Sequence, residues 1–328
     1  MAGIRFGVIL SSRQISTGGW NAFNDLALEF EDFGYHSVWL GDHLTIGGYR
    51  LECWTTLSAL SAATKKIRLG TITLCNSYRN PALLAKMASS LDVISGGRLE
   101  FGIGSGYYKK EYDAYGYPFP PLSVRTEQLD EGLEIMKKMW TENRPSYKGK
   151  YYTIKEAACD PKPVQKPHPP ITIGGGNEEY TLKIVAKHAN RWNTATGTIE
   201  EYKHKLGILK SHCEQIGRDY GEIEKSYHFH CVGAYLSDDD LIKAMRRAYE
   251  REGKMIYGRG GEGGIPASFE DWFNDTQRRS LVGTPEECIS KLQDYFKIGA
   301  TYFMLRFIDF PEKKDSLRFF NEEVVNNL

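Results

Sequence analysis

The chain has 328 residues, of which 41% are hydrophobic and 26% are charged, as in a globular protein with a sizeable core. Lys and Arg together number 42, as do Asp and Glu, and this zero net charge argues against a nucleic-acid or membrane-surface partner. The six cysteines are scattered without a CxxC pair, so we expect reduced thiols in a cytoplasmic protein and no zinc site. No signal peptide or transmembrane segment is predicted.

Strands and helices alternate along the whole chain. Short apolar runs predict eight strands, at 4–10, 37–40, 67–74, 99–103, 171–173, 191–194, 227–234 and 301–307. Apolar residues at helical spacing predict helices between and after them, at 20–33, 52–64, 81–95, 123–140, 178–189, 200–216, 238–250 and 285–296. Eight such units are the count of a (β/α)8 TIM barrel, and we expect one barrel domain over residues 1–328.

Two excursions interrupt this alternation. The first, 143–170, holds a predicted hairpin followed by a segment whose five prolines exclude a helix or a central strand. The second, 254–275, is rich in glycine and predicts a loop followed by a short helix. A doubly wound sheet is the main alternative fold. It would place a glycine fingerprint after the first strand, where this sequence reads LSSRQISTGGW.

A glycine-containing loop follows the fourth predicted strand. Its GxGxG spacing over 102–106 differs from the GxGxxG fingerprint of dinucleotide-binding proteins. We interpret Gly104, Ser105 and Gly106 as a place where a planar ligand approaches the backbone, with a tight turn as the alternative.

A second glycine run, Gly174, Gly175 and Gly176, lies between the fifth strand and its helix. Free backbone amides at a helix N-terminus favour a bound phosphate, and a flexible turn is the alternative. Further donors for the same anion are expected at the next strand end. They are Thr194, Thr196 and Gly197.

Candidate proton-transfer residues follow the second and fourth strands. His43 lies at a strand end, where an imidazole can exchange protons near neutral pH, with a purely structural histidine as the alternative. Neighbouring strand residues point in opposite directions, so Asp42 need not contact His43. Tyr107 could line a pocket or supply a phenol proton. His228 and His230 share one face of the seventh strand, as substrate contacts or core residues.

Five ordered motifs resemble the luciferase-like flavin and deazaflavin oxidoreductases, over nearly the whole chain. They are SVWLGDHL at 37–44, SYRNPALLAKMASSLDVISGGRLEFGIGSGY at 77–107, EYDAYGYPFPPLSVR at 111–125, DPKPVQKPHPPITIGGG at 160–176 and VGTPEECISKL at 282–292. The resemblance implies a TIM barrel with an isoalloxazine-like ring at its C-terminal mouth, commonly in a homodimer. The second and fourth motifs are most similar to members that use coenzyme F420, a hydride carrier. Other branches bind FMN and activate oxygen.

The resemblance to the F420 branch also implies roles for particular residues. An Asp-His pair beside the ring corresponds to Asp42 and His43. A non-proline cis peptide against the ring corresponds to Cys75-Asn76, which we therefore expect to be cis, and the run 174–176 corresponds to the phosphate side of the cofactor. Sugar-phosphate dehydrogenases of this family have a glutamate where this chain has Tyr107 and a tryptophan a few residues after the Asp-His pair. This chain departs from both, so their reaction is not expected.

The sequence thus predicts an F420-dependent oxidoreductase that transfers a hydride between the cofactor and a small organic substrate. His43 is the first candidate for the proton donor or acceptor, and Tyr107 is the second. An FMN-dependent monooxygenase working with a separate flavin reductase is one alternative, and a non-catalytic deazaflavin-binding protein is another. Three arginines could contact an anionic substrate or the cofactor's acidic tail, or have surface or dimer roles. They are Arg278, Arg279 and Arg306.

Overall fold

The computed structural model describes residues 3–10, 19–46, 50–195, 197–256, 268–308 and 314–328. The strands of these residues are β1 Arg5–Leu10, β2 Ser37–Leu40, β3 Arg68–Thr71, β4 Leu74–Cys75, β5 Leu99–Gly104, β6 Tyr147–Lys148, β7 Thr153–Ile154, β8 Ile171–Gly174, β9 Arg191–Thr194, β10 Glu224–Ala234, β11 Leu281–Gly283 and β12 Ala300–Phe307. The helices are α1 Gly19–Asp32, α2 Cys53–Ala63, α3 Pro81–Ile94, α4 Lys109–Tyr115, α5 Leu122–Thr141, α6 Thr181–His188, α7 Ile199–Gln215, α8 Asp238–Ile256, α9 Phe269–Arg279, α10 Pro285–Lys297 and α11 Lys314–Glu323.

The strands close into a parallel barrel in the order β1, β2, β3 with β4, β5, β8, β9, β10 and β12, which pairs again with β1. The barrel has eight positions because β3 and β4 both pair with β5 and act as one interrupted strand. Helices surround this barrel and bury its outer apolar face. The predicted TIM barrel is confirmed, and the doubly wound alternative is wrong.

One tryptophan fills the middle of the barrel interior. Trp39 of β2 is fully buried and packs against Ile9, Tyr302 and Met304. The adjacent strands make room for it with glycine, since a Cβ atom at Gly70 would lie 2.3 Å from the Trp39 ring. The barrel centre is therefore a packed core rather than a channel.

Paired charges close the N-terminal end of the barrel. Arg191 contacts Glu100 at 2.7 Å and Glu224 at 2.6 Å, and Arg68 pairs with Glu100 as well. The two arginines hold the pKa of the buried Glu100 carboxyl below its ordinary value, despite the opposing effect of burial. The charged groups at this end of the barrel are therefore paired with one another.

The two excursions, 143–170 and 254–275, add further elements to this barrel. In the first, β6 and β7 form the expected antiparallel hairpin. In the second, α9 is the predicted short helix and packs with α8 around the buried Trp272. The glycine-rich part of this excursion, 257–267, lies outside the described residues. Among the helices that the structure describes, none is long and apolar enough to cross a membrane.

Candidate active site

A carboxylate, an imidazole and a phenol form a line at the C-terminal mouth of the barrel. The Glu111 Oε2 atom lies 3.1 Å from Nδ1 of His43, and Nε2 of His43 lies 3.2 Å from the hydroxyl of Tyr107. Tyr107 and Tyr108 both pack edge-on against the His43 ring. The two proton-transfer candidates from the sequence, His43 and Tyr107, are therefore in contact, and each residue is placed by a different strand end.

Glu111 organises this line from the short helix α4. Its Oε1 atom accepts hydrogen bonds from the backbone amides of Leu44, Thr45 and Ile46, at 2.7 to 2.9 Å. These amides and His43 outweigh the opposing effect of burial and lower the pKa of Glu111 to about 2. The carboxylate stays ionised at neutral pH and only accepts hydrogen bonds, so Nδ1 of His43 must be the donor.

That assignment fixes the chemistry of the other ring nitrogen. In neutral His43 the Nε2 atom carries the lone pair, and the Tyr107 hydroxyl donates to it. Desolvation around the hydroxyl and the nearby Glu111 carboxylate raise the pKa of Tyr107 to about 12, although 49% of the residue is exposed. The phenol therefore remains protonated, and Nε2 of His43 is the proton-accepting atom.

Asp42 is next to His43 in sequence but has a different role. Its two oxygens accept hydrogen bonds from Arg79, at 2.6 and 2.9 Å, and from the Cys75 amide at 2.9 Å. Arg79 in turn contacts Glu52, which caps the N-terminus of α2. Asp42 is buried and anchors the segment after β2 to Cys75 of β4 and to Arg79, so its bonded partners are not those of His43.

The segment between β3 and β5 corrects one expectation. The non-proline cis peptide is Ile72-Thr73, so the prediction of a cis bond at Cys75-Asn76 is wrong by three residues. The reason lies in the pairing with β5, where Gly70 pairs with Glu100 but Leu74 pairs with Ile103. The four-residue step from Gly70 to Leu74 therefore advances along β5 by only three residues, from Glu100 to Ile103. A bulge thus interrupts the strand between β3 and β4, earlier than its apolar sequence indicates.

The side chains at 75 and 76 face different surroundings. Cys75 Sγ lies 3.0 Å from the Tyr112 hydroxyl, which also bonds Ser77 and the carbonyl of Ser105. Asn76 instead contacts Tyr152 of the hairpin, and its Oδ1 is directed at Gly132 of α5. The structure thus places Cys75 beneath the mouth and Asn76 against the outer helices.

The glycines after β5 and β8 accommodate neighbouring side chains. A Cβ atom at Gly104 would lie 2.9 Å from Thr73 Oγ1, and one at Gly174 would lie 2.6 Å from Thr73 Cγ2. Gly106 has a φ of +78°, and a Cβ atom there would lie 2.0 Å from the Tyr112 hydroxyl oxygen. Thr73 and Tyr112 therefore fill the space that these glycines leave at the rim of the mouth.

The predicted anion site is only partly as expected. Helix α6 begins at Thr181 rather than 178, so a turn separates it from the glycine run, and the Gly175 amide already donates to Asn193. Among the described residues, the amides of Gly176 and Asn177 donate to none. Lys205 of α7 lies beside them, with Nζ 2.6 Å from the Gly176 carbonyl oxygen.

The neighbouring strand end completes this region, which we call the amide–lysine site (the Gly176 and Asn177 amides with Lys205). A Cβ atom at Gly176 would lie 3.2 Å from Thr194 Oγ1, so this buried threonine borders the site. Gly197 accepts a hydrogen bond from Tyr227 and precedes the N-cap of α7. Thr196 lies outside the described residues.

Sequence reasoning missed Glu111, Thr73, Arg79 and Lys205. Glu111 stands in the charged run KKEYD, which is typical of a solvated helix face, yet it is fully buried. Lys205 is one of several lysines on α7, and only the tertiary structure distinguishes it. For neither residue does the local sequence pattern indicate its place in the site.

The structure is a parallel barrel with a polar C-terminal mouth, and comparisons with known proteins identify the family to which it belongs. The chain belongs to the luciferase-like monooxygenase family, whose model matches residues 4–302. It is 31% identical to the F420-dependent glucose-6-phosphate dehydrogenase of Microbacterium testaceum, over 99% of this chain and 97% of that protein. It is 27% identical to the FMNH2-dependent dimethylsulfone monooxygenase of Pseudomonas putida, over 80% and 75% of the two chains.

Solved structures share the fold at lower identity. An F420-dependent secondary alcohol dehydrogenase, solved with an F420–acetone adduct, matches with a TM-score of 0.80 at 19% identity, over 98% of each chain. The long-chain alkane monooxygenase LadA matches with a TM-score of 0.84 at 18% identity, over 100% of this chain and 91% of that one. The relatives are oxidoreductases and monooxygenases, so the family includes both F420-dependent and FMN-dependent enzymes.

Proposed function

We propose that this chain is an F420-dependent oxidoreductase that transfers a hydride between the deazaflavin and a small organic substrate. The observation that carries the proposal is the line from Glu111 through His43 to Tyr107 at the barrel mouth. Hydride transfer to or from an oxygen-bearing carbon requires a proton partner for that oxygen, and this line supplies one. The full-length F420-dependent relative supports the choice of cofactor.

The residues around the mouth fit a cofactor with an anionic tail. The amide–lysine site offers an ammonium and two N–H groups that donate to none of the described residues, a donor set suited to a phosphate. Thr194 adds a hydroxyl at its border. Gly176, Asn177, Lys205 and Thr194 would hold the phosphate side. The bound cofactor would supply the hydride chemistry, which the protein's own side chains cannot provide.

The protein's part in the reaction is to move and hold protons. Nε2 of His43 accepts a proton from a substrate hydroxyl in one direction and returns it in the other. Glu111, ionised at neutral pH, keeps Nδ1–H in place and stabilises the imidazolium that forms. Tyr107 occupies the accepting nitrogen in this structure, so a substrate hydroxyl would displace its phenol or receive protons through it.

The departure from sugar-phosphate dehydrogenases has a structural counterpart. The residue at 107 is a tyrosine, and the carboxylate near His43 comes from Glu111, which is buried and held by backbone amides. A carboxyl group with a pKa of about 2 carries no proton at neutral pH and therefore cannot serve as a proton donor there. We therefore propose a substrate other than a sugar phosphate.

An FMN-dependent monooxygenase is the second candidate, because one relative at 27% identity is an FMNH2-dependent enzyme. Such a reaction requires shielding of an oxygenated flavin from water, for which the line through His43 is not needed.

The proposal is tested by turnover of F420 with a panel of alcohols, ketones, aldehydes and hydroxy acids, followed through the cofactor's absorbance. His43→Ala should reduce turnover by about 10² to 10⁴ while leaving F420 affinity nearly unchanged. His204→Ala, at an exposed position on α7, is the matched control and should behave as wild type. Unaltered turnover in His43→Ala would remove the proposed proton-transfer role.

A further inference from the structure

A cavity of about 310 Å³ lies at the N-terminal end of the barrel, and we call it the N-terminal cavity. Its charged lining residues are Arg5, Arg68, Glu100, Arg191 and Glu224. Four of them are the first residues of β1, β3, β9 and β10, and Glu100 is the second residue of β5. Because the strands are parallel, this cavity lies at the opposite end of the barrel from the mouth. It is large enough for a small molecule.

The five charged side chains form one alternating chain of ion pairs. Glu224 pairs with Arg5 and with Arg191. Glu100 pairs with Arg191 and with Arg68. An arginine therefore stands at each end of the chain, and three guanidiniums face two carboxylates. The lining of the N-terminal cavity keeps one positive charge that its own carboxylates do not offset.

His36 also lines the N-terminal cavity and does not alter this balance. Burial is the main cause that lowers the pKa of its imidazole to about 4; Glu100 opposes the shift, and the three arginines add to it. The imidazole is therefore neutral at pH 7, and the surplus positive charge belongs to the guanidiniums.

The polar groups left over in this cavity are hydrogen-bond donors. Arg5 bonds Glu224 through Nη2, and its Nε and Nη1 atoms have no hydrogen-bond partner among the described residues. Arg191, whose side chain is 4% exposed, bonds through Nε and Nη1, and its Nη2 atom has none in the same part of the chain. The Asn190 Oδ1 atom accepts from the Ile171 amide, which leaves the Nδ2 group as a donor.

The acceptors of the N-terminal cavity are already in use. Each oxygen of Glu100 accepts a hydrogen bond from an arginine, and so does each oxygen of Glu224. A ligand that fits the remaining groups therefore accepts hydrogen bonds and carries negative charge.

We propose that the N-terminal cavity binds a phosphate group, either as free phosphate or as part of a small phosphorylated compound. Arg5 and Arg191 contact the two oxygens of the same Glu224 carboxylate, so their guanidiniums lie close together. Guanidiniums form strong charge-assisted hydrogen bonds with phosphate oxygens. A phosphate has more oxygens than a carboxylate and suits donors from three residues. This site is independent of the proposed function, which uses the other end of the barrel.

The test titrates phosphate into the full chain by calorimetry at constant ionic strength. The amide–lysine site could also bind phosphate, so all proteins carry Lys205→Gln. Adding Arg5→Gln removes the surplus positive charge and should weaken phosphate binding about 10-fold, the ratio expected for a hydrogen bond between charged groups. Adding Asn190→Asp keeps the acceptor for the Ile171 amide but adds a negative charge, and should weaken binding at least as much. Arg318→Gln, at an exposed position on α11, is the matched control and should leave the affinity unchanged.

A second set of titrations distinguishes the two sources of the phosphate group. Tighter binding of glycerol 3-phosphate than of inorganic phosphate assigns the site to a phosphorylated compound, and the reverse order assigns it to free phosphate. The site is overturned if neither phosphate binds the Lys205→Gln protein, if uncharged glycerol binds equally well, or if Arg5→Gln and Asn190→Asp retain the full affinity. Circular dichroism checks the fold of both variants, and if one of them is misfolded the other decides the test.

Discussion

The Glu111 carboxylate lies 3.1 Å from Nδ1 of His43, and the same carboxylate accepts hydrogen bonds from the backbone at 44–46. One buried acid therefore fixes both the loop that carries the histidine and the nitrogen that the histidine presents to the mouth. Because Glu111 is ionised, Nε2 of neutral His43 is the accepting atom.

The first prediction concerns Glu111→Gln and acid stability. The pKa of Glu111 is about 2 in the folded protein, below the ordinary 4.5, so its stabilisation is fully present above pH 4.5 and is lost as the pH falls towards 2. Glu111→Gln should therefore lower the free energy of unfolding by up to about 3 kcal/mol at pH 7, and by much less at about pH 3. Urea denaturation at the two pH values measures the difference.

Asp113→Asn is the control for this prediction. Asp113 is exposed on the same helix, and among the described residues its one ion pair is with Lys109, so its replacement should change stability by less than about 0.5 kcal/mol at either pH. A cost for Glu111→Gln that is equal at both pH values would contradict the ionised, strongly held carboxylate.

The second prediction concerns Gly106. Gly106→Ala should destabilise the protein by about 2 to 5 kcal/mol, because its Cβ would overlap the Tyr112 hydroxyl and its φ of +78° is strained for alanine. Gly116→Ala has a similar φ of +74° but open space around it, and should cost only about 1 to 2 kcal/mol. Adding Tyr112→Phe to Gly106→Ala should recover part of the loss, as measured by denaturant unfolding. Equal costs at 106 and 116 would show that the contact with Tyr112 is unimportant.

The third prediction concerns the buried ion pair beneath the mouth. Asp42→Asn leaves the guanidinium of Arg79 without its buried partner, and should cost about 3 to 5 kcal/mol of unfolding free energy. Glu52→Gln removes the more exposed contact of the same arginine, and should cost about 1 kcal/mol. Thermal and urea unfolding compare the two variants. A loss for Glu52→Gln as large as that for Asp42→Asn would contradict the structural role of the buried pair.

The fourth prediction tests the amide–lysine site. Lys205→Gln removes the ammonium beside the Gly176 and Asn177 amides, so F420 affinity should fall about 10-fold. Lys203→Gln, at an exposed position on the same helix, should leave the affinity unchanged. Fluorescence titration with F420 gives both dissociation constants. Equal affinities for the two variants would place the cofactor's anionic tail elsewhere.

The sequence predicted the barrel well because strand and helix periodicity are local properties. The alternation of apolar runs located all eight barrel positions, and the motif GDHL located His43. The bulge between β3 and β4 was not predicted, because it arises from the pairing with β5. The local sequence ITLC has the pattern of a continuous strand and gives no sign of it. The cis bond was placed too late for the same reason.

The rest of the site depends on contacts between residues far apart in the chain. Glu111 reaches His43 across 68 positions, and its burial is not visible in the charged run around it. The sequence predicted a ligand approach at Gly104 and an anion site at the run that includes Gly174, but the structure shows that both glycines make room for Thr73. Local sequence identified the strand ends that matter, and tertiary packing decided what each side chain there contacts.

The most direct test of the central claim is a pair of binding titrations of the full chain, one with F420 and one with FMN, under the same buffer and salt. F420 should bind at least about 10-fold more tightly than FMN, a difference of about 1.4 kcal/mol, and Lys205→Gln should weaken F420 binding. FMN binding as tight as or tighter than F420 would contradict the account and favour the monooxygenase alternative.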